Sequence, residues 1–298
     1  MSDAIRAGRR TVPVSNRNKV LFPSDGITKG DLIEYYAAIA PVMAPHVRDR
    51  PATLERYPDG TAGERIFQKN IAKYFPEWIP RAEVPKKGGT VTHVLANDAP
   101  TLAYLANQAA IALHVWLSTI ARPTAPDQMI FDLDPSRKNF ADVRATALAL
   151  ADATRDLGLV PFVKTTGSRG LHVVVPVRPS EDFGVVWEVA ATISDRLIAE
   201  RPKILTREFL KAKREGRIFL DVNRNAYAQT VVAPYSVRPL AGAPVAVPLE
   251  WDEVADRRLR PDGFSMRDAL ERPAVWAGMR RSARSLGPAM RALGIRGR

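Results

Sequence analysis

The sequence predicts a mixed α+β protein, and three observations carry this prediction. An alanine-rich segment at residues 140–157 has the apolar spacing of a helix and is followed by Gly158 as a stop signal. Apolar strands at residues 160–164 and 171–177 come next, and a second helical segment spans residues 181–198. With 298 residues, the chain exceeds the usual size of one compact core, so one large domain and two closely packed subdomains both fit its length.

The N-terminal part of the chain contains a capped helix. Residues 1–10 predict a disordered start. Thr28 can cap a helix whose first turn carries Asp31. Apolar side chains then recur on one face of that helix, namely Leu32, Tyr35, Tyr36 and Ile39. Pro41 and Pro45 are expected to interrupt it, because proline cannot donate the backbone hydrogen bond of a helix interior.

Extended segments and one more helix follow. Residues 52–57 predict a strand that runs into a turn. Residues 85–90 predict the basic tip of a hairpin, whose second strand covers residues 91–95. A helix is expected from residue 97 to residue 116, with His114 at its C-terminal end.

The last third of the chain is rich in basic residues. Residues 207–214 predict a basic helix, residues 217–222 predict a strand, and residues 229–233 predict another strand. The final segment, residues 272–298, holds seven arginines and no acidic residue. It fits either a phosphate-binding arm or a solvated helix.

Composition narrows both the chemistry and the class of partner. A net charge of +12 and a pI near 10.2 indicate a polyanionic partner, such as nucleic acid or an anionic membrane surface. The absence of cysteine excludes disulfides, thiolate zinc sites and cysteine nucleophiles, and leaves carboxylate, histidine and hydroxyl chemistry. No stretch approaches about 18 consecutive apolar residues and no signal peptide is evident, so a cytoplasmic protein without membrane attachment is expected.

The most informative motif is MIFDLDP at residues 129–135. Alternate side chains of a strand share one face, so Asp132 and Asp134 form a carboxylate pair about 6–7 Å apart along the backbone. Asp221, at the end of another apolar strand, adds a third carboxylate, and such oxygen ligands suit magnesium or manganese. Two ions held in this way position the attacking and leaving oxygens of a phosphoryl transfer. Nucleotidyl transfer is therefore the leading hypothesis.

A second motif, TGSRGLH at residues 166–172, predicts a turn that binds phosphate. Its two glycines let the backbone turn tightly, while Ser168 and Arg169 add donors and His172 begins the next strand. The turn lacks the first glycine of a serine-hydrolase elbow, which disfavours Ser168 as a nucleophile. The chain also lacks the Gly-x-x-x-x-Gly-Lys-Ser/Thr loop of Walker-type nucleotide hydrolysis.

Basic residues elsewhere suit nucleic acid. Lys19 and Lys29 flank a loop and a helix N-terminus, which is a good phosphate site, although two solvated lysines give the same pattern. Residues 64–70 mix an apolar pair with basic and amide side chains, as in a stacking platform for a base or in a buried strand end. Further basic residues lie around Asp221 in the sequence, namely Lys211, Lys213, Arg214, Arg217, Arg224 and Arg238.

Taken together and in this order, the segments resemble the archaeo-eukaryotic primase superfamily, specifically the polymerase domain of bacterial ligase D as a stand-alone chain. The resemblance rests on four motifs, at residues 131–135, 166–172, 219–221 and 233–238. It implies an α+β primase-polymerase fold with a mixed β-sheet catalytic core and a second, smaller N-terminal subdomain packed against it. The polymerase domain is then expected over residues 11–271.

The resemblance also implies roles for individual residues. Asp132, Asp134 and Asp221 resemble the catalytic carboxylates that hold two metal ions, Mn²⁺ or Mg²⁺. The residues that resemble nucleotide contacts are His114, Ser168, Arg169, His172, Arg214 and Arg238. Those that resemble DNA contacts are Asn16, Lys19, Lys29 and Phe67, with the lysines at a 5′-phosphate and the aromatic ring against template.

Two positions depart from the family pattern. Arg224, which we also place in the nucleotide site, stands where the family carries a glutamine shortly after the third aspartate. Ile66 and Phe67 stand where the family carries an aromatic pair. Details of nucleotide selection and template stacking are therefore not carried over. The chain also lacks a Lys-x-Asp-Gly ligase signature, so it is not expected to seal a nick.

The activity implied by the resemblance is template-directed addition of one or a few nucleotides, preferably ribonucleotides, at DNA ends or short 5′-phosphorylated gaps, as in non-homologous end joining. Its partners would be that DNA, nucleoside triphosphates, Ku and a separate DNA ligase. Three alternatives stay open. They are a non-catalytic end-binding or bridging factor, gap filling in excision repair, and a metal-dependent nuclease, which needs the carboxylates but no triphosphate turn.

Overall fold

A computed structural model describes residues 3–137 and 139–296 of the chain. Its α-helices, in chain order, are α1 (Lys29–Val47), α2 (Ala99–Asn107), α3 (Phe140–Asp156), α4 (Phe183–Glu200), α5 (Trp251–Ala255), α6 (Met266–Glu271) and α7 (Gly287–Leu293). Its strands, in chain order, are β1 (Ala4–Ala7), β2 (Arg10–Pro13), β3 (Val20–Phe22), β4 (Ile27–Thr28), β5 (Pro51–Arg56), β6 (Ile66–Gln68), β7 (Arg81–Lys86), β8 (Gly89–Leu95), β9 (Ala110–Trp116), β10 (Gln128–Pro135), β11 (Phe162–Thr165), β12 (Leu171–Pro176), β13 (Leu205–Thr206), β14 (Ile218–Asp221), β15 (Thr230–Val232) and β16 (Pro248–Leu249). The predicted α+β class is thus confirmed.

The chain divides into two units, each assembled from separate segments. The first unit holds the described residues up to Ala121, together with Thr230–Ala246 and Phe264–Pro273. The second unit holds Arg122–Gln229, Val247–Gly263 and the described residues from Ala274 onward. The two are close to equal in length, because the first unit takes in two segments from the last third of the chain.

The sheet of the first unit corrects one predicted helix. Its strand order is β15-β9-β5-β8-β7, and β6 also pairs with β5. The helix expected over residues 97–116 ends at Asn107, and a left-handed backbone at Ala109, with φ of 56°, redirects the chain into β9. The prediction failed because β9 pairs on both of its edges, so tertiary hydrogen bonds override the helical spacing of its apolar residues. His114 therefore lies on a strand.

Helix α1 begins where the sequence predicts and extends further. The Thr28 side chain accepts a hydrogen bond from the Asp31 backbone N–H, and the Asp31 carboxylate accepts one from the Thr28 N–H at 2.8 Å. Pro41 and Pro45 lie inside the helix and do not interrupt it. Packing outweighs the two missing donors, since α1 buries most of one face and the Tyr36 hydroxyl donates to a backbone oxygen of β9 at 2.7 Å.

Both chain termini carry secondary structure, which for the C-terminal segment was one of the two alternatives and for the N-terminal segment corrects the expected disorder. Within the expected disordered start, β1 pairs with β2, and Ala7 and Val12 are buried. Within the expected basic tail, α7 packs on α4, and Trp276 meets the ring of Phe162 with centroids 5.9 Å apart. Apolar side chains anchor both segments. The outermost parts of these two predictions, residues 1, 2, 297 and 298, lie outside the described residues.

The second unit contains a mixed sheet with strand order β13-β14-β10-β12-β11-β16. Only the β13–β14 pair is parallel among the pairings of this sheet in the described residues. The central strand β10 buries Met129, Ile130, Phe131 and Leu133, and both α3 and α4 pack against it. The helices and strands predicted between residues 140 and 198 are confirmed within a few residues. This unit therefore places MIFDLDP in the middle of a sheet.

The basic helix predicted over residues 207–214 is wrong. Only a short 3₁₀ turn at Lys211–Lys213 forms there. The Arg214 side chain satisfies the local backbone instead, because its guanidinium donates to the carbonyl of Glu208 at 3.0 Å and to that of Phe209 at 2.8 Å. Elsewhere, in the part of the chain that the structure describes, no helix is both long and apolar enough to cross a bilayer.

Candidate active site

Three carboxylates lie on neighbouring strands of the second unit. β10 carries Asp132 and Asp134 at alternate positions, so both face the same side of the sheet. β14 runs antiparallel beside it and places Asp221 directly opposite Asp132 in the register. The Asp221 residue is only 6% exposed. The sheet thus brings together the three aspartates that the sequence singled out.

The two facing carboxylates have opposite pKa shifts. Burial raises the pKa of Asp221, and the Asp132 carboxylate raises it further, while Arg224 opposes them. Burial also acts to raise the pKa of Asp132, but His172, Arg224 and Lys164 more than offset it, so the net shift is downward. The Asp132 carboxylate thus disfavours ionisation of Asp221, while nearby cations favour ionisation of Asp132.

These carboxylates are contacted by three arginines that were predicted to bind the nucleotide. Arg224 Nε lies 3.2 Å from Asp221 Oδ2 and 3.9 Å from Asp132 Oδ2. Asp134 is paired twice, through Arg169 Nη2 and Arg214 Nη1, each at 2.9 Å. Because the Arg214 guanidinium is also stacked over a phenylalanine ring and almost fully buried, its position is well defined. Carboxylates and guanidinium groups form one charged cluster.

The carboxylate pair of Asp132 and Asp221 suits a divalent cation. Their Oδ2 atoms converge on a single cationic group, Arg224 Nε, so the two oxygens are already directed at one positive charge. An oxygen donor set with no sulfur is the type that Mg²⁺ and Mn²⁺ prefer. Within the described ranges, no three His, Asp or Glu side chains converge closely enough to hold one ion, since Asp134 is directed at Arg169 and Arg214.

A row of polar residues crosses four strands at this point. Lys164 on β11, His172 on β12, Asp132 on β10 and Asp221 on β14 are successive register partners. We call these four residues the polar row. His172 Nε2 lies 3.4 Å from Asp132 Oδ1. Burial, followed by the charge of Lys164, lowers the pKa of His172 to about 4, so its imidazole is neutral at neutral pH.

Lys164 is a member of this row that the sequence analysis missed. It is 1% exposed, and a buried lysine is rare unless nearby groups compensate its charge. Its only sequence signal is a lysine that directly follows the apolar residues Phe162 and Val163 in β11. The register with His172 depends on pairing between β11 and β12 and is not visible in the sequence.

The turn that follows β11 is fixed against β10. Thr166 Oγ1 donates to the carbonyl of Gly170 at 3.1 Å and accepts from its N–H at 3.2 Å. Gly167 has a φ of 63°, which favours glycine. A Cβ at Gly170 would collide with the backbone oxygen of Leu133, so only glycine permits this approach. Ser168 is half-buried at the tip of the turn.

The first unit holds the residues predicted to bind a 5′-phosphate. Lys29 Nζ donates to Ser15 Oγ at 3.2 Å, and Lys19 Nζ pairs with Asp59 Oδ1 at 2.9 Å. The backbone N–H of Lys29 donates to the carbonyl of Lys19 at 2.8 Å, and Asn16 has a left-handed backbone beside them. Burial, and then the charge of Lys19, lowers the pKa of Lys29. These residues gather at the N-terminus of α1.

Phe67 lies elsewhere in the first unit, on β6. Its side chain is exposed, as is that of Ile66, which excludes the alternative of a buried strand end. The Arg65 guanidinium lies over the Phe67 ring at 4.7 Å from its centroid. A flat, exposed ring backed by a cation is suited to stacking on a base.

His114, on β9, is held by a residue that the sequence analysis missed. Its Nε2 lies 3.2 Å from Oε2 of Glu55, which is 4% exposed. Tyr57 donates its hydroxyl to the same carboxylate at 3.0 Å. Burial raises the pKa of Glu55, but hydrogen bonds from His114 and Tyr57 and the charge of Arg238 lower it more. His114 and Arg238, both predicted nucleotide contacts, thus act on one buried carboxylate.

Known proteins with similar sequences are ligase D proteins. Multifunctional non-homologous end joining DNA repair protein LigD of Mycobacterium tuberculosis is 36% identical over 263 residues, which cover 85% of this chain and 35% of that protein. LigD of Pseudomonas aeruginosa is 31% identical over 255 residues, which cover 84% of this chain and 30% of that protein. The chain spans about a third of the length of these curated relatives.

A solved structure and a family model agree with these relatives. The polymerase domain of Mycobacterium tuberculosis ligase D in complex with DNA matches with a TM-score of 0.86 and 34% identity, over 91% of this chain and 99% of that chain. The model of the LigD primase-polymerase domain family matches residues 28–278. The resemblance predicted from four motifs is therefore confirmed. The chain belongs to the LigD primase-polymerase domain family and is, by that membership, a nucleotidyltransferase.

Proposed function

We propose that this chain is a template-directed primase-polymerase of DNA repair. It adds one or a few nucleotides, preferably ribonucleotides, at DNA ends or short 5′-phosphorylated gaps. The observation that carries this proposal is the position of Asp221 opposite Asp132, beside a glycine-rich turn packed on the same strand. The DNA complex of the Mycobacterium tuberculosis domain supports DNA as the partner.

The chemistry of this site depends on its three carboxylates. Asp132, Asp134 and Asp221 would hold two divalent ions, Mn²⁺ or Mg²⁺, which when bound would activate the primer 3′-hydroxyl and stabilise the leaving pyrophosphate. The convergence of Asp132 and Asp221 on one cation supports the part of this assignment that concerns these two aspartates. The neutral imidazole of His172 holds Asp132 in place through the contact of 3.4 Å.

The nucleotide's triphosphate is bound by donors of the turn and by nearby arginines. Ser168 and the exposed Arg169 lie at the tip of a turn whose shape is fixed by glycine. Arg169 and Arg214 contact Asp134 now, and the same guanidinium groups bind phosphate oxygens with comparable geometry. His114 and Arg238, which belong to the first unit, are assigned to the incoming nucleotide by the family resemblance alone.

DNA is bound by the first unit at two places. Lys19, Lys29 and Asn16 at the N-terminus of α1 bind the 5′-phosphate at the downstream side of a break or gap. A phosphate there would compensate the charge of the buried Lys29, whose pKa is lowered by burial and by the charge of Lys19. Phe67, backed by Arg65, stacks on a template base.

The proposed pathway is non-homologous end joining, because several relatives are named non-homologous end joining proteins. A cytoplasmic location and partnership with Ku and a separate DNA ligase are further parts of this proposal. Gap filling in excision repair uses the same chemistry on the same gapped substrate. The pathways differ in their protein partners rather than in this domain.

Following the length of a labelled primer on gapped DNA distinguishes the proposed activity from the alternatives. Wild type and Asp132→Ala are compared with Mn²⁺ or Mg²⁺ and with ribo- or deoxyribonucleotides. Lengthening by wild type alone, fastest with ribonucleotides, supports the proposal. Shortening without added nucleotide indicates a nuclease. Tight DNA binding with no change in length in any condition indicates an end-binding factor.

A further inference from the structure

Glu55 is a buried carboxylate of the first unit that none of the proposed steps uses. It lies on β5 and is 4% exposed. Moving a carboxylate out of water is costly unless partners compensate its charge and fill its acceptor sites. A residue of this kind is retained where its charge or geometry does something that an apolar side chain cannot.

Both oxygens of Glu55 face donors. Oε2 lies 3.2 Å from His114 Nε2, and Oε1 accepts the Tyr57 hydroxyl at 3.0 Å. The register of β5 and β9 explains the first contact. Thr53 is opposite His114 and Glu55 is opposite Ala112, so Glu55 and His114 are diagonal neighbours on one face of the sheet.

The contact with Glu55 restricts the histidine ring. A carboxylate oxygen can only accept a hydrogen bond, so this pairing places a proton on His114 Nε2 and holds the ring plane. The Phe67 ring meets the same imidazole edge-on, with centroids 6.4 Å apart. His114 is thus held in one tautomer and in one orientation.

The same carboxylate also reaches the predicted template contact. Arg65 Nη1 lies 3.9 Å from Glu55 Oε1, and its guanidinium lies over the Phe67 ring. Glu55 is therefore the common neighbour of His114, which is assigned to the nucleotide, and of Arg65, which supports the aromatic ring assigned to template. No sequence motif marks it.

We propose that Glu55 is the positioning residue of the nucleotide contact made by His114. It fixes the tautomer and orientation of the imidazole, so that His114 meets the sugar and phosphates of the incoming nucleotide without a loss of rotational freedom on binding. The inference rests on the proposed function, because the role of His114 does. Glu55 itself touches neither nucleotide nor metal ion.

Kinetics on three variants test this role. Glu55→Leu removes the acceptor while filling the buried space, and Glu55→Gln keeps a neutral acceptor. We expect Glu55→Leu to raise the nucleotide KM by about tenfold, the effect typical of residues that orient a functional imidazole, with Glu55→Gln recovering most of it. Tyr57→Phe removes the other donor to Glu55 without touching His114, and is expected to leave KM near that of wild type.

A double-mutant comparison shows whether the effect passes through the histidine. In a His114→Ala background, Glu55→Leu is expected to change KM no further. An equal change with and without His114, or no change in either background, overturns the proposal. Wild type that extends no primer at all would instead reject the proposed function.

A spectroscopic measurement is independent of activity. The chain has four histidines, so ring ¹H–¹⁵N correlation spectra can be assigned by substitution. Wild-type His114 is expected to carry its proton on Nε2, and Glu55→Leu is expected to show exchange between the two tautomers. An unchanged His114 signal in Glu55→Leu would refute the positioning role even if the protein proves to be an active polymerase.

Discussion

At the scale of single residues, charge pairing governs the site. Asp132 and Asp221 share the guanidinium of Arg224, while Asp134 is shared by Arg169 and Arg214. The arginine at position 224 stands where the family pattern has a glutamine. A positive charge between two carboxylates lowers their attraction for a second cation. The affinity for metal should therefore depend on this residue.

Replacing Arg224 with glutamine tests that dependence. We expect Arg224→Gln to bind Mn²⁺ about fivefold more tightly in the absence of nucleotide. This corresponds to about 1 kcal/mol, the Coulomb energy of two unit charges about 4 Å apart in bulk water. Electron paramagnetic resonance titration of free Mn²⁺ measures the affinity. Arg207→Gln removes an arginine paired with Asp195 outside the site and serves as the control. Equal or weaker binding by Arg224→Gln contradicts the prediction.

His172 predicts a pH dependence of stability. Burial lowers its pKa from 6.5 to about 4, so between these values the unfolded chain binds a proton that the folded chain does not. Stability should therefore fall as the pH drops through this window. From pH 7 to pH 5, the loss from this group is about 2 kcal/mol.

Urea unfolding with EDTA measures this loss. His172→Gln lacks the titrating group and should lose about 2 kcal/mol less than wild type over the same interval. The contribution of Asp221, whose pKa shift is not attributed to His172, is common to both proteins and cancels in the difference. If the free energy of unfolding changed with pH in the same way for wild type and His172→Gln, His172 would have the same pKa in the folded and unfolded chain, which would contradict the prediction.

The sequence predicts residues of this site to very different degrees. The alternation of Asp132 and Asp134 is visible because the spacing within one strand is fixed by backbone geometry. Lys164 and Glu55 were not predicted as site residues, because only their burial and their partners on neighbouring strands single them out. A single sequence shows neither property for a residue with no motif around it.

At the scale of elements, the turn between β11 and β12 is tightly constrained by its packing on β10. Gly170 lies so close to the carbonyl of Leu133 that no side chain fits. Because Leu133 stands between Asp132 and Asp134, displacement of its backbone moves both carboxylates. A change in the turn at Gly170 is therefore expected to move the carboxylates of Asp132 and Asp134 on β10.

Gly170→Ala should therefore destabilise the protein by about 1–3 kcal/mol, the range for overpacked sites. Its extension rate should fall as well, since the carboxylates shift. Gly278→Ala is the matched control, because a Cβ there meets nothing within 4 Å and its φ is −94°. Urea unfolding and primer extension measure the two effects. A Gly170→Ala protein as stable and active as Gly278→Ala would contradict the packing argument.

Local signals predicted elements well where local interactions decide the structure. The capping pair of Thr28 and Asp31 marks the start of α1 correctly because both groups belong to one turn. The signals failed for β9, whose apolar residues fit a helix equally well until strands pair on both edges. They failed again at residues 207–214, where the buried Arg214 takes over the local carbonyls.

At the scale of the whole molecule, the net charge of +12 favours binding to DNA in general, but only basic side chains held in fixed positions can recognise a 5′-phosphorylated DNA end. Lys19 and Lys29 are held in this way, because they contact Asp59 and Ser15 at the start of α1. The lysines at the hairpin tip, Lys86 and Lys87, are exposed. The two pairs should differ in what they contribute to binding.

The double variant Lys19→Ala/Lys29→Ala should bind gapped DNA equally with and without the 5′-phosphate. Lys86→Ala/Lys87→Ala makes the same change in net charge and should keep the preference of wild type. Fluorescence anisotropy with both DNAs at several salt concentrations measures this, and general electrostatic binding falls with salt in every case. A phosphate preference that survives the first substitution places the phosphate site elsewhere.

The central claim is that the carboxylates of β10 and β14 carry out template-directed nucleotide addition. The most direct measurement is single-nucleotide addition at a 5′-phosphorylated gap, opposite each of the four template bases, by wild type and Asp221→Asn. Asp221 is buried and its asparagine variant has the same shape, so DNA binding should be retained. We predict addition matched to template by wild type and a loss of at least 100-fold in Asp221→Asn, the order expected when a group that stabilises the transition state is removed. Addition that ignores the template base, or that persists in Asp221→Asn, would contradict the claim.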